Sequence, residues 1–367
     1  MASPGVLDLE ALLQPISEEN PAGVDVRADA ATSSAYYAIK DARSAIRAKE
    51  RSLVADDGEV ADFRSEWRPI LEQSQTLLSE NSKDLEIAAW IIEALTRVHG
   101  FGGLRDGFRL AREICSQFWD ECFPLPDDDG IEARVTPLAG LNGGDAEGAL
   151  IVPIRSIPIT EGTAAGPFCC WQYQQAVLLQ QSTDPEVRQK RIDAGALTLE
   201  QFDQAGAETS REFFESRLED LKQCQEEFAA LCEMLDERCT AELAPPSSNI
   251  RNALASCLEA LRYAGKDVLV SEPEEEEDTE AGEGAQAASG AKGSYPGSRE
   301  EAFRTLLQLA DFFRRNEPHS PVSYALEQVV RWGRMSLPDL LEELIAEDAA
   351  RQNLFRLAGI KKSAESQ

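Results

Sequence analysis

The chain has 367 residues, 40.3 kDa, of which 43% are hydrophobic, enough for two or three domains with real cores, so an intrinsically disordered protein is excluded. The 66 acidic residues against 36 basic ones give a formal charge of −30, which repels phosphate backbones and anionic lipid headgroups and removes nucleic acid and membrane surfaces from the expected partners. No window approaches roughly 18 consecutive apolar residues, and the opening MASPGVLDLE lacks the regions of a secretory leader, so a cytoplasmic protein without membrane insertion is expected.

Residues 1–30 place Pro15, Pro21 and Gly23 among isolated apolar residues, favouring an extended segment over a long helix. Ala35–Arg51 reads as a helix with Tyr36, Ile39, Arg43 and Ile46 on nearby turns and Lys40, Arg47 and Lys49 on a solvated face. After a polar loop over Leu53–Phe63, Trp67, Ile70, Leu71, Leu77 and Leu78 lead into the strongest signal, Ser82–Trp119. There Leu85, Ala88, Ala89, Ile92 and Leu95 form one helical stripe, with Ser82 as its cap and Gly100 at its end. Leu104, Phe108, Ala111, Cys115 and Phe118 form a second, at steps of four, three, four and three. Two such stripes meeting at a glycine-rich corner predict a helical hairpin, to which Trp90 and Trp119 add apolar area. The corner Gly100–Gly107 follows a helix instead of a strand and precedes no Lys-Ser/Thr, so it reads as close helix packing and not as a phosphate loop.

Pro124, Pro126 and Asp127–Gly130 end that signal; a calcium loop with Gly130 at its sixth position would run from Leu125 to Thr136, neither of which can ligate as required. Gly140–Pro167, with short apolar runs at Leu150–Ile154 and Ile157–Ile159, reads as the first domain boundary. Phe168–Gln181 and Glu200–Gly206 are expected to be helical, the latter after the cap Thr198. Arg211–Cys239 keeps a three- and four-residue seam through Phe214, Leu218, Leu221, Phe228, Cys232, Leu235 and Cys239, whose expected partner is the stripe on Ile250–Tyr263. Ser271–Gly297 has eight acidic residues, one lysine and almost nothing to bury, the composition of a disordered, extended linker. From Ser298 onward 11 acidic residues meet 10 basic ones, so the linker's −7 and this segment's −1 leave −22 for residues 1–270. Ser298–Glu301 opens a helix with a capping box, Ser320 and Pro321 open a second, and further helices are expected from Ser336 and around Leu354–Leu357.

Chemistry-bearing patterns are sparse. The eight cysteines recur at helical spacing, as in Cys115 and Cys122 or Cys224, Cys232 and Cys239, without any C-x-x-C, which predicts buried reduced thiols over a zinc site or disulfide framework. The two histidines, His99 and His319, sit in corner contexts without an orienting partner in the pattern, so no catalytic residue, metal or cofactor is expected and the chain reads as a non-enzyme.

Several spaced motifs nevertheless agree with one family. Leu12–Ser17, Pro21-Ala22-Gly23, Asp25, Ala42-Arg43, Lys83-Asp84-Leu85, Ala88-Ala89-Trp90, Gly100–Gly107 and Phe118-Trp119-Asp120 resemble, in order, the ImpA-type N-terminal domain of the TssA family of type VI secretion. The residues carrying that resemblance are Asp84, Trp90, Gly100, Gly103, Leu104, Arg105, Gly107 and Trp119. Asp311–Arg315, Glu317–Pro321 and Arg331-Trp332 resemble the C-terminal domain of the family's shorter members; the middle of the chain resembles the family only loosely. The resemblance implies an all-α protein of helical bundles joined by an acidic disordered linker: an N-terminal domain over 1–150, a middle domain over 160–268, the linker over 269–297 and an oligomerising C-terminal domain over 298–367. It further implies a ring-like homo-oligomer, partners among the baseplate, spike, tube and sheath proteins, and a role in priming or organising their assembly at the inner-membrane-proximal baseplate. Phe312, Phe313, Glu317, His319 and Trp332 are the expected oligomer interface. The alternative is a helical adaptor from another system that binds partners without forming a ring.

Overall fold

The structure, a computed structural model, describes residues 2–28, 34–56, 62–126, 130–144, 146–162, 165–182, 184–239, 243–269, 299–316 and 321–335. These are all-α: α1 (Leu9–Leu12), α2 (Ala35–Asp56), α3 (Arg64–Glu80), α4 (Leu85–Phe118), α5 (Glu132–Asn142), α6 (Ile151–Arg155), α7 (Cys170–Gln181), α8 (Pro185–Asp193), α9 (Leu199–Glu208), α10 (Arg211–Arg238), α11 (Ser248–Ala264), α12 (Lys266–Leu269), α13 (Arg299–Asn316) and α14 (Val322–Arg334). The chain divides into two compact units, Met1–Glu276 and Glu277–Gln367.

The first unit is built around α4. Gly100, at φ 63° and ψ −140°, breaks this helix into two arms, a backbone conformation that L side chains rarely adopt. The arms fold back on one another: a Cβ on Gly103 would lie 2.5 Å from the Leu95 carbonyl oxygen, and one on Gly107 would lie 2.9 Å from Ile92 Cγ1. The hairpin expected from the two stripes is therefore present, and its open end is tied shut. Leu85 N–H donates to the Phe123 carbonyl at 2.8 Å, and Phe123 N–H donates to that of Lys83 at 2.9 Å. The cap of the first arm is Asp84, whose carboxylate accepts from the Glu86 and Ile87 amides; Ser82 is buried and lies two residues too early for the role given it above.

α3 packs along α4 and α2 lies beyond it on that side, while α10 covers the second arm. α10 also touches α11, the partner expected from the sequence, but its main seat is α4, against which α5 and α6 also pack, with α11 lying on α5, α6 and α10. Phe108 and Phe228 meet with ring centroids 4.7 Å apart. The segment expected to separate two domains is not a gap in this core. Leu150, Ile151, Ile154, Ile157 and Ile159 are buried in the same apolar cluster as Leu85 and Leu221, and α5 hands over to α11 through Asn142, which accepts from the Ile250 amide at 2.9 Å. α5, α6 and α8 were not foreseen as helices, and α2 runs on to Asp56, beyond the expected end of its helix.

In the second unit α13 and α14 pair antiparallel. Phe303 near the start of α13 packs on Gly333 near the end of α14, and Arg314 pairs with Glu327. Ala310 and Val330 are buried between them. The expected linker 269–297, apart from Leu269, and the expected helices from Ser336 and around Leu354–Leu357 lie outside the described residues.

Candidate functional site

The buried polar groups of the first unit gather around α4 in three places. On the first arm, Glu86, Glu93 and Arg97 recur at steps of seven and four, one face of a helix. Arg27 and the Tyr36 hydroxyl both reach Glu86, at 3.2 and 2.8 Å. Arg43 donates twice to Glu93, itself buried, and Arg47 approaches the same carboxylate at 3.8 Å. Glu50 accepts a bidentate pair from Arg97 at 2.7 and 2.8 Å and a further bond from the Trp67 indole at 2.8 Å, while Arg97 lies 4.2 Å from the Trp67 ring centroid. Arg47 therefore belongs to a half-buried ion-pair row and not to the solvated face expected of it; Lys40 and Lys49, the latter paired with Glu66, are exposed as expected.

At the base of the hairpin Lys83 is fully buried, its ammonium donating to the Leu12 and Leu78 carbonyls at 2.7 and 2.9 Å, and burial pushes its pKa down to about 8. Beside it Asp84 accepts from Arg27 at 2.7 Å. Trp119 carries Arg134 over its face, 5.5 Å from the ring centroid, and accepts a bond from that guanidinium on its carbonyl.

The third place joins three remote stretches. Arg105 donates to Asp106 at 2.8 Å, to Asp220 of α10 at 3.3 Å, to Gln223 at 3.2 Å and to the Ser3 carbonyl at 3.0 Å. Asp220 in turn accepts from the Ser3 amide and hydroxyl at 2.7 and 2.6 Å, and Asp106 from the Val6 amide at 2.6 Å. Gly102 allows Ser3 and Asp220 to come this close. One heptad along, Arg112 pairs with Glu227 at 3.1 Å, so the second arm and α10 run in parallel with two ionic rungs. A groove of about 550 Å³ opens here, lined by Arg105, Asp106, Arg109 and Glu226 among others.

The motif residues thus hold structure together: Asp84 caps, Trp90 stacks on Tyr36 with centroids 5.1 Å apart, Gly100 turns, Gly103 and Gly107 let the arms touch, Leu104 fills the core, Arg105 clasps and Trp119 holds Arg134. Phe312 and Phe313 lie in α13 and Trp332 in α14, while Glu317 and His319 lie outside the described residues. Sequence reading missed Glu93, Arg97, Asp220 and Ser3; charges inside an otherwise apolar helical run were the available signal for the first two. All eight cysteines are buried free thiols, and among the described residues no group of three or more His, Cys, Asp and Glu side chains is disposed to hold a metal ion. No described helix is long and apolar enough to cross a membrane.

Residues 13–143 match the family described as ImpA, N-terminal, type VI secretion system. Over 359 residues the chain is 25% identical to the type VI secretion system component TssA1 of Pseudomonas aeruginosa, covering 96% of this chain and 98% of that protein. A solved structure, the N-terminal domain including the conserved ImpA_N region of the TssA component from Burkholderia cenocepacia, is 29% identical and superposes with a TM-score of 0.60, covering 74% of this chain and 100% of its own. The chain is thus similar to TssA components of type VI secretion over nearly its whole length, with the ImpA N-terminal region matched over residues 13–143.

Proposed function

We propose that the chain is a non-catalytic organiser that self-associates through its C-terminal unit and holds baseplate, spike, tube and sheath proteins during assembly at the cytoplasmic side of the inner membrane. The observation supporting this is the distribution of exposed apolar side chains. Leu309, Val322, Tyr324 and Val329, 38–66% exposed, fall within the short α13–α14 pair, whereas the five others among the described residues are scattered between Val24 and Val187. Crowded apolar exposure on a small unit marks a contact surface. The net charge of −1 from Ser298 onward lets copies meet there, against −22 in residues 1–270. Phe312, Phe313 and Trp332 are carried by the same two helices.

Light scattering on the full chain tests this. A multimer that falls to monomer in Tyr324→Glu/Val329→Glu, with helicity kept, supports self-association through this unit; a monomeric parent protein would favour the adaptor without a ring. Co-purification with tube, sheath or baseplate proteins from the same secretion system tests the partners, and capture of none of them would remove the organising role.

A further inference from the structure

α8 contributes no buried residue to the body, although it is a well-formed helix with Pro185 in its first turn and Asp184 accepting from the Glu186 and Val187 amides. At about 100° per residue, Lys190, Val187, Arg191 and Arg188 fall on one arc of about 160°. All four are exposed, Val187 by 45%, and Leu178 on the neighbouring α7 is 57% exposed. Among the described residues none of the three cations has a side-chain ion-pair or hydrogen-bond partner, whereas Arg27, Arg43, Arg97, Arg105 and Arg112 all do. A basic face with an apolar centre, on a body of net charge −22, fits an acidic segment.

The same unit supplies one. Leu269 closes α12, and Glu272, Glu274, Glu275 and Glu276 follow within seven residues, a reach of about 10–25 Å. Their starting point is tied to α9, the helix that follows α8 in the chain. Lys266 of α12 pairs with Asp203 of α9 at 2.9 Å, and residues 194–198 alone separate α8 from α9, a gap of at most about 22 Å. We propose that Glu272–Glu276 docks in cis on the Lys190–Val187–Arg191–Arg188 face of α8, so that the first part of the acidic run is held to the body.

Zero-length carbodiimide cross-linking of the full chain, read by mass spectrometry on an equal mixture of light and nitrogen-15-labelled protein, tests the contact. Lys190 is expected to join Glu272–Glu276 within single chains at low salt, with the product lost at high salt and in Arg188→Glu/Arg191→Glu. That variant keeps Lys190 and disturbs no buried residue, and circular dichroism checks its helicity. Absence of the Lys190 product while Lys266 still joins the same glutamates would overturn the proposal, as would products formed only between light and heavy chains, or products indifferent to salt and to the two substitutions.

Discussion

α10 and α2 both hold α4, and they do so by different chemistry. α10 lies close along the second arm, with Leu221, Cys224 and Phe228 buried and the Arg105–Asp220 pair closed between the helices, side chains 10% and 0% exposed. α2 adds Tyr36, Ile39 and Ile46 to the core, but its ionic links reach α4 through long side chains whose outer ends stay wet: Arg43 and Arg47 are 18% and 28% exposed where they meet the buried Glu93. Glu93 has two cations of α2 to choose from, but Arg105 alone serves both Asp106 and Asp220. Redundant wet links tolerate loss; a single dry one does not.

The sharpest way to break that contrast is Arg105→Ala. It would leave Asp106 and Asp220 buried without their cation, and a loss of about 3–5 kcal/mol in urea unfolding is expected. A loss no larger than that of Arg43→Ala would erase the distinction. Gly103→Val strikes the hairpin common to both sides, because its Cβ would meet the Leu95 carbonyl oxygen at 2.5 Å; about 1–3 kcal/mol should be lost, visible as a lowered melting temperature. Arg43→Ala should cost about 1–2 kcal/mol by the same denaturation measurement, since Arg47 remains within reach of Glu93.

The smallest expected effect concerns the base of the hairpin and depends on pH. Burial lowers the Lys83 pKa to about 8 in the folded protein, so between there and the ordinary lysine range the unfolded chain binds more protons and stability rises with pH. Unfolding at pH near 7 and near 9.5 should show the parent chain gaining on the order of 1 kcal/mol relative to Lys83→Met. Equal gains in both would assign the change to other groups.

How far the fold was legible follows from where its contacts lie in the chain. The hairpin could be read from spacing because both stripes and their corner are contiguous, and Gly100–Gly107 could serve packing alone. α10 carried the right seam but was matched with the nearby α11, because seams of the same period on α4 and α11 are interchangeable in sequence and only the folded chain brings residue 105 to residue 220. α5, α6 and α8 contain Pro137, Pro153 and Pro185, which read as breaks in a pattern; Pro153 and Pro185 lie in first turns, where the helix tolerates proline, and Pro137 lies inside α5. The ionic row of α2 was hidden because a charged residue's exposure depends on what lies opposite it, and Glu93 is 50 residues from Arg43. The motif residues were legible as a set, but their roles were not: Asp84 took the cap from Ser82, and Arg105 proved to be a clasp only when Ser3 and Asp220 arrived.

The closure of the hairpin at Lys83, Leu85 and Phe123 bears on the order in which the chain acquires its structure. Everything that defines this loop is present once residue 123 has been synthesised, and its contacts are short in sequence, the condition for rapid formation. α10 follows about a hundred residues later in the chain, so during synthesis the nascent hairpin must wait with Phe108 and Leu104 uncovered. Amide exchange in the finished protein should retain the imprint of that sequence of events, with the slowest amides in 85–118 and the α10 amides opening before them.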